Sequence, residues 1–153
     1  MIIAPWDITP YRGDGSYDTC ERTCAKLRIY YDEGTPQEVT DALGLSPTEY
    51  RTKGENITKA KGGNFQAKCT VWIYSTESEC NSLDLRDHLD LLLSKVNGKI
   101  REVQEFKGVK MGVDCIWWSK GSGGPALASH QLKRLGELGL ECSFDISFFG
   151  EDD

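Results

Sequence analysis

Residues 24–45 read CAKLRIYYDEGTPQEVTDALGL, and this stretch decides the class of fold. Its first part alternates, with Ala25, Leu27, Ile29 and Tyr31 on one side and Lys26, Arg28 and Tyr30 on the other. A period of two with one apolar side predicts a half-buried strand. After Asp32 the pattern changes to that of a helix. Thr35 suits an N-cap, Pro36 the first helical position, Glu38 the first turn, and Gly44 the stop. A strand that passes directly into a helix is half of a βαβ unit.

The same order returns near the other end of the chain. WWSKGSGGPALASHQLKRLGELGL (117–140) and YYDEGTPQEVTDALGL (30–45) each run aromatic pair, glycine, proline, helix, Leu-Gly-Leu. The later copy is preceded by a predicted strand, KMGVDCIWW (110–118), and followed by another, LECSFDISFF (140–149). Its helix is predicted across 125–138, opened by Pro125 with Ser122 as the cap. Between the copies come a loop, SPTEYRTKGE (46–55), and a strand, KCTVWIYST (68–76). A helical segment over 84–107 follows, striped by Leu85, Leu89, Leu92, Val96, Ile100, Val103 and Phe106. Asn97-Gly98 within it predicts a kink or a left-handed end.

The element order is therefore β-α-β-α-β-α-β. It predicts an α+β domain of the ferredoxin-like split βαβ kind, with an antiparallel four-stranded sheet and an extra long helix. The first and third strands are expected at its centre. Residues 1–22 are expected as an arm, 23–150 as one domain and 151–153 as an acidic tail. The strand followed by TPQEVTDALGLSPTEY and KGE, the Trp in the next strand, the Leu-rich helix and LKRLGELGLECSFDI resemble the bacterial domain-of-unknown-function family 4279. The resemblance covers residues 24–149. It implies an α+β fold and an intracellular bacterial or phage setting, and it implies no activity.

The chain has 153 residues, 39% hydrophobic and 27% charged, which suits one domain with its own core. Lys plus Arg is 18 against 24 Asp plus Glu, a net of −6, and that balance argues against nucleic-acid binding. The start, MIIAPWDITP, lacks a basic n-region and a long apolar core, and no stretch reaches the length of a membrane span. A cytoplasmic location without membrane contact is expected, with the six cysteines mostly as thiols.

Alternation assigns each strand two faces. The expected inward set is Ala25, Leu27 and Ile29; Cys69, Val71 and Ile73; Met111, Val113, Cys115 and Trp117; and Leu140, Cys142, Phe144, Ile146 and Phe148. The expected outward set mixes rings and charges: Lys26, Arg28 and Tyr30; Thr70, Trp72 and Tyr74; Asp114, Ile116 and Trp118; and Glu141, Ser143, Asp145, Ser147 and Phe149. Large rings beside an arginine and carboxylates suit recognition. Three covers for that face are open. They are the chain's own helix or its 1–19 arm with Trp6 and Tyr11, a second copy face to face, or a foreign protein or ligand.

Other motifs carry less. SKGSGGP is neither a Walker loop nor a complete GxGxxG, and reads as a flexible connection. Cys20-x3-Cys24 has no second close pair, so neither a metal nor a cofactor is expected. The two histidines, His88 and His130, form no recognisable dyad, and catalytic residues are not assigned. The loop YRTKGE offers Tyr50, Arg51 and Lys53, with Lys59 and Lys61 beyond, as a cationic patch for an anionic small molecule.

The expectation is a non-enzymatic binding protein that neutralises or sequesters a partner protein in a bacterial or phage conflict setting. Trp72, Tyr74, Trp118, Tyr30 and Arg28 would form the contact. The alternative is a protein that holds a nucleotide-like anion through Arg51 and Lys53.

Overall fold

The computed structural model describes residues 11–96 and 98–148. The first ten residues of the arm, with Trp6, the Asn97 cap, Phe149 and the acidic tail lie outside those residues. Seven strands and four helices follow one another within them: β1 (Cys20–Tyr31), α1 (Pro36–Leu43), β2 (Glu49–Arg51), β3 (Asn56–Thr58), β4 (Asn64–Gln66), β5 (Thr70–Ser75), α2 (Leu85–Val96), α3 (Ile100–Gln104), β6 (Lys110–Ser119), α4 (Ser129–Glu137) and β7 (Glu141–Phe148).

The sheet has five strands in the order β2-β5-β1-β6-β7, and β3 and β4 form a separate hairpin. β1 pairs antiparallel with β5 and with β6, β2 is antiparallel to β5, and β6 and β7 are parallel. The sheet is thus mixed and five-stranded, not the four-stranded antiparallel ferredoxin arrangement. The difference has a local cause. The β6-α4-β7 passage is a crossover through a helix, and crossovers of that kind join parallel strands. The extra strand comes from Glu49–Arg51, too short to show a period in the sequence.

α1 forms where the sequence places it. Pro36 opens it, Gly44 closes it at φ 64°, and the Gly44 N–H donates to the Thr40 carbonyl at 2.8 Å. The stripe over 84–107 also faces the core. Leu85, Leu89, Leu92, Val96, Ile100 and Val103 are all buried, but the helix stops at Val96 and resumes as α3 at Ile100. Asp84 starts α2 by accepting the Arg86 N–H at 3.0 Å, and its carboxylate holds the Arg86 guanidinium at 2.9 and 2.7 Å. The helices and the inward strand residues, among them Leu27, Ile29, Val113, Cys115 and Trp117, make one core.

α4 is shorter than its sequence pattern. It begins at Ser129, not at Pro125. Gln131, fully buried, fixes that start: its Oε1 accepts the Ala128 N–H at 2.9 Å, and its Nε2 donates to the Arg86 carbonyl and to Asp90 at 2.8 and 2.9 Å. Tyr17 ties the preceding loop down by donating to the Gly124 carbonyl. Tyr11, at the end of the arm, donates to Asp87 at 2.5 Å beneath the Arg86 guanidinium.

His88 is enclosed between α2 and the end of β5. Because the Ser82 carbonyl can only accept, Nε2 carries the hydrogen at 2.7 Å, and Nδ1 accepts from the Thr76 hydroxyl at 2.7 Å. Burial lowers the His88 pKa and keeps the ring neutral.

Candidate functional site: the open face of the sheet

The core lies on one side of the sheet, so strand alternation leaves a second face without a helical layer. Register identifies its members. Arg22 is opposite Trp118, Cys24 opposite Ile116, Lys26 opposite Asp114, Arg28 opposite Gly112, and Tyr30 opposite Lys110. On the other flank Arg28 is opposite Ile73 and Tyr30 opposite Val71, and Arg51 of β2 continues the Val71 row.

Two expected members are not there. Trp72 and Tyr74 are buried in the core, opposite Ile29 and Leu27, and Trp72 donates its Nε1–H to Thr40 on α1 at 3.1 Å. Val71 and Ile73 occupy the open face in their place. Both phases of KCTVWIYST are apolar at their centre, and Lys68, Thr70 and Thr76 at the ends of the Trp72–Tyr74 phase point alternation to the wrong one. A slip of one residue exchanges every side chain. The two rings bury the larger area, and Trp72 finds its polar partner on a helix. Cys69 likewise lies before the strand and lines a cleft.

Trp118, Tyr30, Arg28 and Arg51 do share the open face. Each ring there carries an arginine. The Arg22 guanidinium lies 4.6 Å from the Trp118 ring centre and ion-pairs with Glu77. The Arg28 guanidinium lies 5.2 Å from the Tyr30 ring and grips Asp114 through Nε at 2.8 Å and Nη2 at 3.3 Å. That carboxylate raises the Arg28 pKa further. Gly112 makes room for the grip. A Cβ there would stand 3.2 Å from Arg28 Nη2 and 3.3 Å from the Glu141 carbonyl oxygen. Ile116, half-buried and opposite the buried Cys24, lies between the two arginine–ring pairs, and Val71 and Ile73, also half-buried, flank the Tyr30–Arg28 pair on β5. Burial raises the Cys24 thiol pKa.

The expected loop patch divides. Tyr50 and Arg51 are neighbours on a strand and so point to opposite sides. Tyr50 lines a cleft of about 310 Å³ with Thr35, Pro36, Thr40 and Pro47. Arg51 lines another of about 480 Å³ on the open-face side, with Lys59, Phe65, Lys68, Cys69 and Val71. Lys53 lines neither; its N–H donates to Thr70 Oγ1 at 3.1 Å and its side chain is exposed. The lysine contribution passes to Lys59, 5.3 Å from the Phe65 ring, and to Lys68. Sequence reading missed Phe65 and Lys68 because the β3–β4 hairpin is built from three-residue strands. It missed Arg22 because β1 begins four residues before the alternation becomes regular.

All six cysteines are free thiols, and burial pushes Cys20 up to about 11. Among the described residues no group of three or more His, Cys, Asp or Glu gathers to hold a metal. No described helix is long and apolar enough to cross a membrane.

The fold and its open face define a two-layer α+β protein with helices on one side of a mixed sheet. The chain belongs to the family described as Domain of unknown function (DUF4279), whose model matches residues 19–149. No curated protein and no solved structure matches it.

Proposed function

We propose that this chain is a non-enzymatic binding protein that neutralises or sequesters a partner protein through the open sheet face. One observation carries the reading. Trp118, Tyr30, Arg28, Ile116, Val71 and Ile73 lie half-exposed on a face that the helices leave uncovered. Trp, Tyr and Arg supply most of the energy at protein interfaces, and here each ring is already held in place by a guanidinium. Little side-chain freedom would be lost on contact. A cytoplasmic bacterial or phage conflict setting, as immunity or anti-defence protein, belongs to the same proposal and rests on the family resemblance and the acidic build. The test is affinity capture with the wild-type chain and with Trp118→Ala. A protein retained by the first and lost by the folded variant supports the reading; equal retention by both overturns it.

A second reading has its own observation. Arg51, half-buried, lines the 480 Å³ cleft with Lys59 and Lys68, and among the described residues no carboxylate lines it. An anionic, nucleotide-like molecule would fit there, its charge on Arg51 and its ring against Phe65. Calorimetric titration with ATP, repeated on Arg51→Ala, tests this. Heat from the wild type alone supports it, and no heat from either removes it.

A further inference from the structure

Among the described residues β7 is an edge of the sheet, paired only with β6, in an unbroken parallel register from Gly112↔Glu141 to Ser119↔Phe148. Phe144, Ile146 and Phe148 lie on its helix-side face, opposite Cys115, Trp117 and Ser119. Even so they are exposed, by 45%, 56% and 65% in that order. The length of α4 explains the gradient. Its nine residues extend roughly 13 Å, whereas the eight residues of β7 extend roughly 26 Å. Leu132 on α4 is exposed as well, by 57%. His130 and Gln131 both reach Asp90 on α2, so the next residue, about 100° further round the helix, turns to the flank away from α2.

Edge strands usually carry a device against pairing: short length, a lysine, a proline, a bulge or an inward charge. The opposite edge, β2, is three residues long, with Pro47 just before it and Arg51 on it. β7 (ECSFDISF) has none of these.

We propose that β7 binds a second copy of this chain, two β7 strands pairing antiparallel across a two-fold axis at Ile146. In that register Phe144 lies opposite Phe148 of the second copy, Ile146 opposite Ile146, and Asp145 opposite Ser147. Each exposed apolar side chain then meets another. An axis at Asp145 would set two carboxylates face to face, which destabilises a strand pair. An axis at Phe144 would place Ile146 and Phe148 against Cys142 and Leu140, which are already half-buried and buried. Backbone hydrogen bonds along the free edge would supply the affinity and the apolar pairs the register. This interface is separate from the open face, so it stands or falls without the reading above.

Sedimentation of the full chain over micromolar to hundreds-of-micromolar concentrations tests it. The wild type is expected as a dimer. Ile146→Lys should weaken it about 100-fold with an unchanged circular dichroism spectrum. Trp118→Ala should stay dimeric. A monomer throughout, as when the edge is covered by the chain's own first ten residues or awaits a foreign strand, overturns the proposal. So does a dimer that survives Ile146→Lys, or one lost only in Trp118→Ala. Should Ile146→Lys not fold, Ile146→Cys decides: an intermolecular disulfide mapped between the two 146 positions supports the axis, and its absence under oxidation overturns it.

Discussion

Trp117 and Trp118 are adjacent in sequence and lie in different worlds. Trp117 is fully buried, edge-on to Tyr17 at 5.9 Å, opposite Thr23 on the helix side of the sheet. Trp118 is half-buried on the other side, opposite Arg22, which stacks on it. The helix side of the sheet holds its residues by volume and excludes unpaired charge, its buried Asp84 and Arg86 being paired with each other. The open side holds its residues by pairing each ring with a cation and the Arg28 cation with a carboxylate. Substitutions on the first side should therefore be read by unfolding, and those on the second, under the function proposed above, by binding as well.

The largest effect should come from Trp117→Ala. Removing a fully buried tryptophan leaves a cavity and loses about 3–5 kcal/mol, a large part of the stability of a domain this size. Urea denaturation should show the midpoint falling accordingly. Trp117 Nε1 has no hydrogen-bond partner among the described residues, so Trp117→Phe keeps most of the burial, breaks no such bond and should lose much less. A Trp117→Ala variant as stable as the wild type would collapse the distinction between the two faces.

Charge exclusion on the helix side can be probed by pH. His88 is held neutral by burial, its pKa lowered below the ordinary value. Between that lowered pKa and about 6.5 the unfolded chain binds the proton and the folded chain does not. Stability from this group is therefore full above about pH 6.5 and is lost as pH falls toward the lowered value, by at most about 1.4 kcal/mol per pH unit. Urea midpoints measured from pH 7.5 downward should reveal the slope, and His88→Gln should flatten it. A midpoint independent of pH across that window would show that the pocket tolerates the cation.

On the open side, Arg28→Ala should lose about 1 kcal/mol, since the pair it breaks with Asp114 is only partly shielded from water. Raising salt should shrink the difference between variant and wild type, which it would not do for Trp117→Ala.

Much of this contrast was legible in the residues. The alternation of Ala25, Leu27, Ile29 and Tyr31 and the Thr35-Pro36-Gly44 frame of α1 agree with the structure because strand period, capping and turn chemistry all point one way there. The split of Trp117 from Trp118 is equally plain, since Val113 and Cys115 fix the phase of β6. In KCTVWIYST the polar Lys68, Thr70 and Thr76 share the phase of Trp72 and Tyr74, so the pattern points to Val71 and Ile73 as the inward pair, and pairing with β1 reverses it. Two of the five expected contact residues on the face were lost to that reversal. The cleft at Arg51 was half visible: its cations stand in the sequence, but Phe65 reaches them only through a hairpin of three-residue strands. The parallel β6–β7 pairing follows from the connection through α4, whereas the bare end of β7 follows from where Gln131 pins that helix, which no local pattern records.

Trp118→Ala should destabilise the fold less than Trp117→Ala, since it removes a partly solvated ring at the surface and leaves no closed cavity. Part of its ring area is in water, and the truncation also removes the cation–π contact with Arg22, worth about 1 kcal/mol or less at an accessible site. Arg22 keeps Glu77 as a partner, so no buried charge is orphaned. The same substitution removes the largest ring from the open face, and truncation of a central tryptophan at an interface commonly lowers affinity by 2 kcal/mol or more, about 30-fold. The two measurements together are the sharpest form of the comparison. A small shift in urea midpoint with loss of a captured partner places Trp118 on a recognition surface. A large shift, similar to that of Trp117→Ala, would mean that the open side is held by packing as the helix side is, and the contrast between the adjacent tryptophans would disappear.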